Sequence, residues 1–355
     1  MKIFMSPAIR RGTPDRFIDV TVSGLRAAGV EVRSLPYVPS SGRVATVHLH
    51  WPEMYFASGC IAQHGALNAA RMQSILTTIR NVRRRGGRLV WTVHNLAPRR
   101  RLRDKAQAAY EGFHAEIVDE LDVFVSLTHA GVPVIRRAFP RLADVPYVVA
   151  RHPHYREVVP PGPPSRDRRA EWNFPAGSIV VGVLGQIQRY NDIGGVMRAF
   201  RGIPDPRLRL VIAGPCSDQS RVEILVQSSK DPRILFIEQG EMSDQALADY
   251  HAAVDMVIYN GARSFNSGTV IMALSLNRPL IAPAGPVNGE IADLVGPCWM
   301  TLFDPPLTSH DLEAAIERLW QQTRGDECPL EAFDPLLSCR RVVRAYAADR
   351  SGLDL

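Results

Sequence analysis

Short apolar runs bounded by polar residues or glycine recur along the chain, and each is followed by a stretch that fits a helix. The pattern is clearest around Asp255–Tyr259 (DMVIY), which has the length and composition of a buried parallel strand. Val270–Leu276 is almost wholly apolar, which predicts a helix that is buried on most sides. Pro279 ends this helix, because proline cannot continue one. The segment is therefore predicted to form a strand, a short polar loop and a buried helix.

The loop before this helix carries residues that suit a phosphate. Asn266, Ser267, Gly268 and Thr269 occupy the positions where N-cap residues belong. The first N–H groups of a helix have no partner within the helix, and together with hydroxyl groups they can bind a phosphate or diphosphate. The same residues would also cap an ordinary core helix, so this segment alone leaves both interpretations open.

The first half of the chain shows the same alternation. Lys2–Ser6 is a predicted strand, Asp15–Ala28 a helix closed by Gly29, and Val30–Leu35 a second strand. This is the opening of a Rossmann-like fold. It lacks the GxGxxG spacing of a dinucleotide site, which argues against a nicotinamide enzyme.

Polar side chains follow several predicted strands, at the edge where open α/β sheets bind their ligands. The strands Ala45–Trp51 and Arg88–Leu96 both end near histidines, each of which could equally be a core residue satisfied by the backbone. The candidate residues for catalysis and for the acceptor side are Arg11, Gly12, His50, Trp51, Glu53, His94, Asn95, His154 and Tyr155.

A stretch rich in proline and glycine and then in charge predicts a linker at about 156–172. It divides the chain into two predicted Rossmann-like domains, 1–165 and 166–335. A C-terminal helix (336–355) is expected to pack back on the first domain. Two Rossmann-like α/β domains facing a central cleft are typical of glycosyltransferases with the B-type (GT-B) architecture. In that architecture the N-terminal domain binds the acceptor and the C-terminal domain binds the nucleotide sugar, which is the expectation for 1–165 and 166–335.

The charge is unevenly distributed along the 355 residues, whose formal net charge is +6. Between Arg80 and Lys105 there are ten basic residues and one acidic residue, Asp104. Such a run is often only a solvated surface, but its density favours contact with anionic lipid headgroups. It contains no interleaved aromatic residues and fits no DNA-binding motif, so nucleic acid is not expected as a partner.

The five cysteines are scattered without a CxxC pair, which is typical of a reduced cytosolic protein and predicts no metal site. The N-terminus has too short an apolar segment for a signal peptide. No run approaches the roughly 20 apolar residues that span a bilayer. The expected location is cytoplasmic, at most peripheral on the inner membrane face.

Six segments spread over most of the chain carry a resemblance to a known family. They are HLHWPE (48–53), TVHNLAP (92–98), HYR (154–156), DPRLRLVIAG (205–214), NSGTVIMALSLNRP (266–279) and IADLVGPCWMTLFD (291–304). In this order they resemble the GumI-like exopolysaccharide β-mannosyltransferases of bacteria. The resemblance implies a GT-B glycosyltransferase without a metal or other cofactor. It would use GDP-mannose as co-substrate and add mannose to a polyprenyl-diphosphate-linked oligosaccharide at the cytoplasmic membrane face.

The chain departs from that family in the loop after the first strand of the second half. Relatives have FG-x-I-R-x-Y-K-G there, whereas Gln188 and Asn191 replace the Arg and Lys that contact the donor diphosphate, with Arg189 beside the expected place. A leaving diphosphate without a metal needs positive charge or a helix dipole. The donor-binding residues predicted here are Gly185, Arg189, Tyr190, Asn191, Arg263, Asn266, Ser267, Gly268, Thr269 and Glu290.

A second departure concerns stereochemistry. Many retaining relatives carry two glutamates eight positions apart, and Ser264 and Met272 stand in their places. Their loss fits an inverting enzyme, which needs one general base to deprotonate the acceptor hydroxyl. Among Glu53, His94, His50 and Asp15, Glu53 is favoured and His94 is second. The alternatives are a GT-B enzyme with another donor such as a UDP-sugar, a nucleotide-sugar epimerase, or a non-enzymatic protein that binds membranes or polyanions.

Overall fold

The computed structural model describes residues 1–7, 15–35, 46–53, 65–98, 104–188, 191–216, 218–262, 264–321 and 325–347. The chain divides into two compact units. The first unit comprises Met1–Pro153 together with Phe333–Leu355, and the second unit is His154–Ala332.

The first unit contains a six-stranded parallel sheet in the order β2-β1-β3-β4-β5-β6. Its strands are β1 (Lys2–Ser6), β2 (Glu31–Ser34), β3 (Thr46–Leu49), β4 (Arg88–Thr92), β5 (Val123–Ser126) and β6 (Tyr147–Val149). Its helices are α1 (Arg16–Ala27), α2 (Gly65–Arg84), α3 (Asp104–Asp119), α4 (Gly131–Ala138) and the C-terminal α12 (Pro335–Ala347), with a 3₁₀ turn at Pro140–Leu142 and another at Glu331–Phe333, where the second unit ends. The strand order reverses between β1 and β3, so a ligand site is expected where these two strands end.

Helix α1 shows how the sequence builds this unit. Asp15 caps it by accepting a hydrogen bond from the Ile18 N–H (3.4 Å), and Phe17 and Ile18 turn inward, 6% and 1% exposed. Helix α12 packs against α1 at Gly24, where an added Cβ would lie 2.6 Å from the Cys339 sulfur. A side chain at residue 24 would force the two helices apart, so the C-terminal helix is part of the first unit's core.

The second unit also contains a six-stranded parallel sheet, in the order β12-β11-β10-β7-β8-β9. Its strands are β7 (Ile179–Leu184), β8 (Leu208–Gly214), β9 (Ile234–Glu238), β10 (Met256–Ile258), β11 (Leu280–Pro283) and β12 (Met300–Phe303). Its helices are α5 (Arg168–Glu171), α6 (Ile193–Arg201), α7 (Asp218–Ser228), α8 (Asp244–Ala253), α9 (Gly268–Ser275), α10 (Pro286–Val295) and α11 (Ser309–Gln321). This is the doubly wound Rossmann order, with its switch point between β7 and β10.

Helix α9 is the buried helix that the apolar run predicts. All its residues from Val270 to Ser275 are buried, and Ser275 satisfies its hydroxyl by donating to the Ile271 carbonyl (2.6 Å). A helix without a polar face must be covered on all sides, so its N-terminus is held in one position relative to the sheet. The switch-point loops therefore meet a fixed helix end.

The division between the units lies earlier than the boundary predicted near 165. Arg156 donates to the Ser275 carbonyl (3.3 Å) and to Asn277 Oδ1 (2.7 Å), and the Tyr155 N–H donates to Ser275 Oγ (2.9 Å). Ser165 is bound through its N–H and its hydroxyl to the Asp249 carboxylate (2.8 and 2.7 Å). These contacts attach the proline-rich segment to the second unit, although its composition is that of a linker.

Glu290, one of the predicted donor-binding residues, follows β11 on the next helix. Helix α10 begins at Pro286, which occupies a first-turn position where a missing N–H costs nothing, and Gly296 caps its C-terminus with φ +86°. Glu290 therefore lies within a helix.

Candidate active site

Glu53 lies at the switch point of the first unit, just after β3, and is 7% exposed. The side-chain amide of Asn95, which follows β4, donates a 2.5 Å hydrogen bond to its Oε1. Burying a carboxylate without such a donor would be costly. The pKa of Tyr110, on α3, is raised mainly by the burial of its own side chain and further by the negative charge of Glu53. Two adjacent strands and helix α3 thus define the surroundings of this carboxylate.

His50 and His94 form a second pair across the same two strands, with His50 Nδ1 3.0 Å from His94 Nε2. Trp51 stacks on His94, with ring centroids 4.3 Å apart and planes at 28°, and Phe17 meets His94 edge-on at 4.6 Å. Both histidines are almost fully buried, at 1% and 5% exposed. The aromatic contacts hold the His94 ring in one orientation.

The contacts of this pair determine which nitrogens carry protons. His50 Nε2 lies 3.3 Å from the Met5 sulfur, which can only accept, so Nε2 is protonated and Nδ1 bears the lone pair. Nδ1 therefore accepts a hydrogen bond from His94 Nε2–H. In neutral His94 the lone pair then lies on Nδ1. The pKa of His50 is well below its usual value because of burial, with further contributions from His48 and His94.

Two further buried histidines support this edge of the sheet. His48 bonds Tyr346 of α12 through Nδ1 (2.6 Å) and Thr92 through Nε2 (2.8 Å), and burial lowers its pKa to about 3. His152 donates from Nδ1 to the Pro153 carbonyl (2.9 Å), and burial lowers its pKa to about 4. These two residues fit the structural interpretation of a strand-end histidine, a neutral ring satisfied by hydrogen bonds.

Phe17, Thr92, Tyr110 and Tyr346 contribute to this site but were not among the sequence candidates. Tyr346 is 298 positions from its partner His48, and no local pattern could connect them. Phe17 contacts three histidine rings, at 5.5, 4.6 and 4.9 Å, yet in the sequence it is only one apolar position of a helix. The only available signal was its place in the first turn of the helix that follows β1.

At the switch point of the second unit, the chain turns on glycines that approach each other closely. Gly185 follows β7 with φ +105°, and Gly214 ends β8 with φ +147°. A Cβ on Gly214 would lie 1.9 Å from the Gly185 carbonyl oxygen. Only glycine fits there, since a backbone atom cannot move aside as a flexible side chain can.

The N-terminus of α9 lies beside this turn. Thr269 Oγ1 is 3.8 Å from the position that a Cβ on Gly185 would occupy, and the Tyr155 hydroxyl is 3.1 Å from that on Gly268. Among the described contacts, the Ser267 side chain forms no capping hydrogen bond to the helix. Four of the predicted donor-binding residues (Gly185, Ser267, Gly268 and Thr269) thus surround the mouth of one helix, where backbone N–H groups and the positive end of the dipole attract an anion.

Asn191 has a structural role in this neighbourhood. Its Oδ1 accepts from the Gln188 N–H (2.8 Å), which closes the turn after β7. Asp192 then caps α6 from a left-handed conformation (φ 39°), and its carbonyl accepts from the Asn260 side chain (3.3 Å). The loops after β7 and β10 are therefore tied together.

The remaining candidates are distributed as follows. Asn266 accepts through its carbonyl from the Ser264 hydroxyl (3.0 Å), just before α9, and Glu290 is half-buried on α10. His154 and Tyr155 belong to the second unit, whereas the sequence assigned them to the acceptor side. Their backbone continues into the contacts with α9, which explains the difference. Arg11, Gly12, Arg189, Tyr190 and Arg263 lie outside the described residues.

Some arginines of the basic segment Arg80–Lys105 form ion pairs with acidic residues from outside that segment. Arg80 pairs with Glu116 (2.6 Å) and Glu120 (3.3 Å), and Arg83 pairs with Glu120 (2.6 Å) and Asp122 (3.0 Å). Glu116 lies on α3, and Glu120 and Asp122 lie in the short connection from α3 to β5, outside the window in which the charges were counted. Part of the positive charge is thus neutralised by the fold.

Among the described residues, no group of three or more His, Cys, Asp and Glu side chains is arranged to hold a metal ion. None of the helices in the described part of the chain is long and apolar enough to cross a membrane.

No family model matches the chain. A protein of Xanthomonas campestris pv. campestris called GDP-mannose:glycolipid 4-beta-D-mannosyltransferase is 28% identical over 304 residues, 82% of this chain and 76% of that protein. A second protein with the same name and species is 27% identical over 299 residues.

Solved structures resemble the whole chain at low sequence identity. Sucrose-phosphate synthase from Thermosynechococcus elongatus gives a TM-score of 0.62 at 17% identity, covering 97% of this chain and 94% of that one. Anabaena HepE in complex with UDP and glucose gives a TM-score of 0.68 at 14% identity, covering 98% and 99%. The structural likeness shows the fold.

The chain has the α/β GT-B fold, as predicted, and each unit supplies one parallel sheet. Together with the sequence relatives, this identifies a glycosyltransferase, more narrowly a hexosyltransferase, and the prediction of an enzyme is confirmed. Within that class, the two relatives support a mannosyltransferase.

Proposed function

We propose that this chain is a GumI-like, inverting β-mannosyltransferase that needs no metal or other cofactor. It transfers mannose from GDP-mannose to a polyprenyl-diphosphate-linked oligosaccharide in exopolysaccharide biosynthesis. The observation that carries the proposal is the match to two relatives named GDP-mannose:glycolipid 4-beta-D-mannosyltransferase over 82% of the chain. The six resembling segments agree with it, since they are spread over both units.

The donor diphosphate binds at the mouth of α9 in this proposal. The Gly185 turn leaves room for a phosphate oxygen to approach the backbone, and Ser267 and Thr269 offer hydroxyl groups beside the first N–H groups of the helix. The Tyr155 phenol, next to Gly268, is a further donor. Asn191 is engaged in the turn after β7, so a larger share of the diphosphate charge falls to the helix dipole and to the predicted Arg189 and Arg263.

The sugar transfers with inversion, because a β-linkage is formed from an α-linked donor. One general base is then required, and Glu53 is the residue that we assign to it. The Asn95 amide at 2.5 Å stabilises its ionised form and holds Oε1, which favours a carboxylate that accepts a proton through Oε2.

His94 is the second candidate for the base. Its lone pair on Nδ1 could accept a proton while Nε2–H continues to donate to His50 at 3.0 Å. Protonation would therefore require no rearrangement of the pair. His50 acts in this proposal as a positioning residue that fixes the His94 tautomer, with the Met5 sulfur fixing His50 in turn.

The acceptor is a glycolipid, so the enzyme works as a peripheral protein at the cytoplasmic face of the inner membrane. The predicted contact is the basic surface of the first unit. Arg80 and Arg83 contribute less to it than their number suggests, since each is paired with acids. The proposed electrostatic contribution therefore comes from the remaining arginines of the run, at roughly 1 kcal/mol each near an anionic surface.

A UDP-sugar is the second candidate donor, because a structural neighbour has been solved in complex with UDP and glucose. Calorimetric titration with GDP, UDP, TDP and their sugar conjugates separates the two. Tightest binding of GDP and GDP-mannose, with mannosyl transfer that continues in EDTA, supports the proposal. Preference for UDP, or transfer that stops in EDTA, contradicts the donor or the metal-independence respectively. A GDP-mannose-consuming reaction without acceptor would indicate an epimerase or a hydrolase instead.

A further inference from the structure

A cavity of about 340 Å³ opens on the second unit, between helix α11 and the start of its sheet. Its floor is aliphatic and consists of Ile179, Ile203, Leu208 and Ile316, all at most 8% exposed. We call it the Trp320 pocket, after the residue at its rim. Its volume lies at the small end of the range of about 300–1,000 Å³ for small-molecule sites.

The pocket lies at the opposite end of the sheet from the α9 mouth. Ile179 and Leu208 are the first residues of β7 and β8, whereas Gly185 and Gly214 stand at the other ends of these strands. Gly185 comes six residues after Ile179, roughly 20 Å along the strand at the usual rise of about 3.3 Å per residue. A ligand in the Trp320 pocket would therefore not touch the proposed diphosphate site.

Trp320 is the clearest sign that the pocket has an occupant. It is 65% exposed, the highest value among the large apolar residues that the structure describes. The other four tryptophans of the chain are buried or half-buried. An exposed indole beside an open cavity is typical of a recognition surface, since it offers a large rigid face and one N–H donor.

Four charged side chains also line the pocket. Glu313 and Glu317 precede Trp320 on α11 by two turns and about one turn, so all three lie along one side of the helix. Arg207 and Asp205, which lie just before β8, form a bidentate pair (3.2 and 2.8 Å). The pocket thus offers three carboxylates and one guanidinium around an apolar floor.

This set of groups selects among ligand classes. The excess of carboxylates repels nucleotides, phosphate and other anions. A hexose unit is neutral, has a C–H face that can lie on an indole, and has adjacent hydroxyl groups that donate to carboxylates and accept from a guanidinium. We propose that the Trp320 pocket is a second carbohydrate-binding site, which takes a neutral hexose unit of an oligosaccharide away from the donor site.

The test uses the full chain and two neutral probes, β-1,4-mannobiose and cellobiose, with binding followed by saturation-transfer NMR and calorimetry. We expect saturable binding with a Kd on the order of 1 mM, as is usual for a small ligand with few contacts. Trp320→Ala should weaken it at least tenfold, and Glu313→Gln with Glu317→Gln several-fold. Because Trp320 is mostly exposed, its replacement should leave the thermal unfolding temperature unchanged.

Glu223→Gln, an exposed carboxylate on α7, is the matched control and should change nothing. Absence of saturable binding in the wild type, or equal binding by wild type and Trp320→Ala, overturns the proposal. Spermidine serves as a cationic probe, and its displacement of both sugars at lower concentration would show a cation site instead. The donor titrations use different ligands, so this proposal and the GDP-mannose proposal can fail separately.

Discussion

The two units carry the same kind of sheet but end its strands with different chemistry. In the first unit the strand ends are lined by buried, neutral histidines and aromatic rings, with Glu53 as the one acid assigned a function. In the second unit the corresponding edge is made of glycine turns, hydroxyl groups and the N-terminus of α9. One edge suits proton transfer and sugar contacts, and the other suits a diphosphate.

The two edges differ in the charge that each of them has to accommodate. A buried histidine is neutral because burial lowers its pKa, so His48 and His50 add no positive charge to the strand ends where Glu53 lies. A diphosphate brings its own negative charge, which backbone N–H groups and a helix dipole can stabilise without a counterion. The fold is thus the same, and the assignment of acceptor and donor sides comes from the side chains at the strand ends.

The largest effect is expected from Glu53→Gln. The glutamine keeps an oxygen that can accept from Asn95, so the shape of the site is retained, but it cannot take up a proton. Steady-state mannosyl transfer should fall by about 10² to 10⁴. GDP affinity by calorimetry should not change, because the donor groups lie in the other unit.

Glu111→Gln, an exposed carboxylate on α3, is the control and should be fully active. Full turnover by Glu53→Gln would remove it from the mechanism. If His94→Gln alone abolished transfer, the base would be His94.

The next largest effect is expected from mild acid, which should destabilise the first unit more than the second. Burial lowers the folded pKa of His48 to about 3 and those of His114 and His152 to about 4, and it also lowers that of His50, all in the first unit. In the second unit, burial lowers the pKa of His251 to about 4. The unfolded chain takes up these protons near pH 6.5, so the stability is present above that pH and is lost as the pH falls toward the folded values.

Between pH 7.5 and 5.5 each such histidine costs up to about 1.4 kcal/mol. Hydrogen-exchange mass spectrometry should therefore show the first unit losing protection before the second. The lowered carboxylate pKa values of Asp205, Asp231 and Asp249 matter only below this window. His114 stacks on Phe139, and His114→Phe replaces its imidazole by a ring that cannot take up a proton. This variant should therefore lose less stability in acid, by the contribution of one histidine. Equal losses in the two units would contradict the comparison.

Gly214→Ala should destabilise the second unit by about 3 kcal/mol or more. The new methyl group would lie 1.9 Å from the Gly185 carbonyl oxygen, at a φ of +147° that alanine disfavours. GDP binding should be lost with the turn, while exchange protection of the first unit should be retained.

Gly240→Ala is the matched control, since nothing lies within 4 Å of its added Cβ. Equal thermal unfolding temperatures for the two variants would show that the close approach of the two turns is not required.

The sequence predicted the alternation of strands and helices and helix α9, because these depend on local apolar patterns and on Pro279. It also placed the polar residues that follow β3 and β4 at the edge where open α/β sheets bind their ligands. It did not find Tyr346 or Phe17, whose partners are brought near only by tertiary packing. Two residues that are 298 positions apart produce no periodic pattern in the sequence that could indicate their contact.

Two descriptions taken from composition change in the fold for similar reasons. The Pro-rich segment has a linker's composition, and only Asp249 and α9 show that it is bound to the second unit. The count of basic residues from Arg80 to Lys105 ignored acids that the fold brings beside them. Composition describes a segment by itself. The unit to which a segment is attached and the charge that it leaves unpaired depend on the residues that pack against it.

The smallest effect is expected from Thr269→Val, which replaces a hydroxyl by a methyl group of nearly the same size at the mouth of α9. In the proposed function this hydroxyl donates to the diphosphate, and a hydrogen bond to a charged group contributes about 1.5–3 kcal/mol. GDP should therefore bind at least about tenfold more weakly by calorimetry, whereas the fold should be unaffected because the helix N–H groups remain.

Thr301→Val, in the middle of β12, makes the same change away from the helix mouth and should leave GDP affinity as it is. Unchanged affinity in Thr269→Val would mean that the backbone N–H groups hold the phosphate alone. A loss equal to that in Thr301→Val would indicate a general effect on the unit rather than a contact. A selective tenfold loss at residue 269 would support the assignment of the donor diphosphate to the glycine and hydroxyl edge of the second unit.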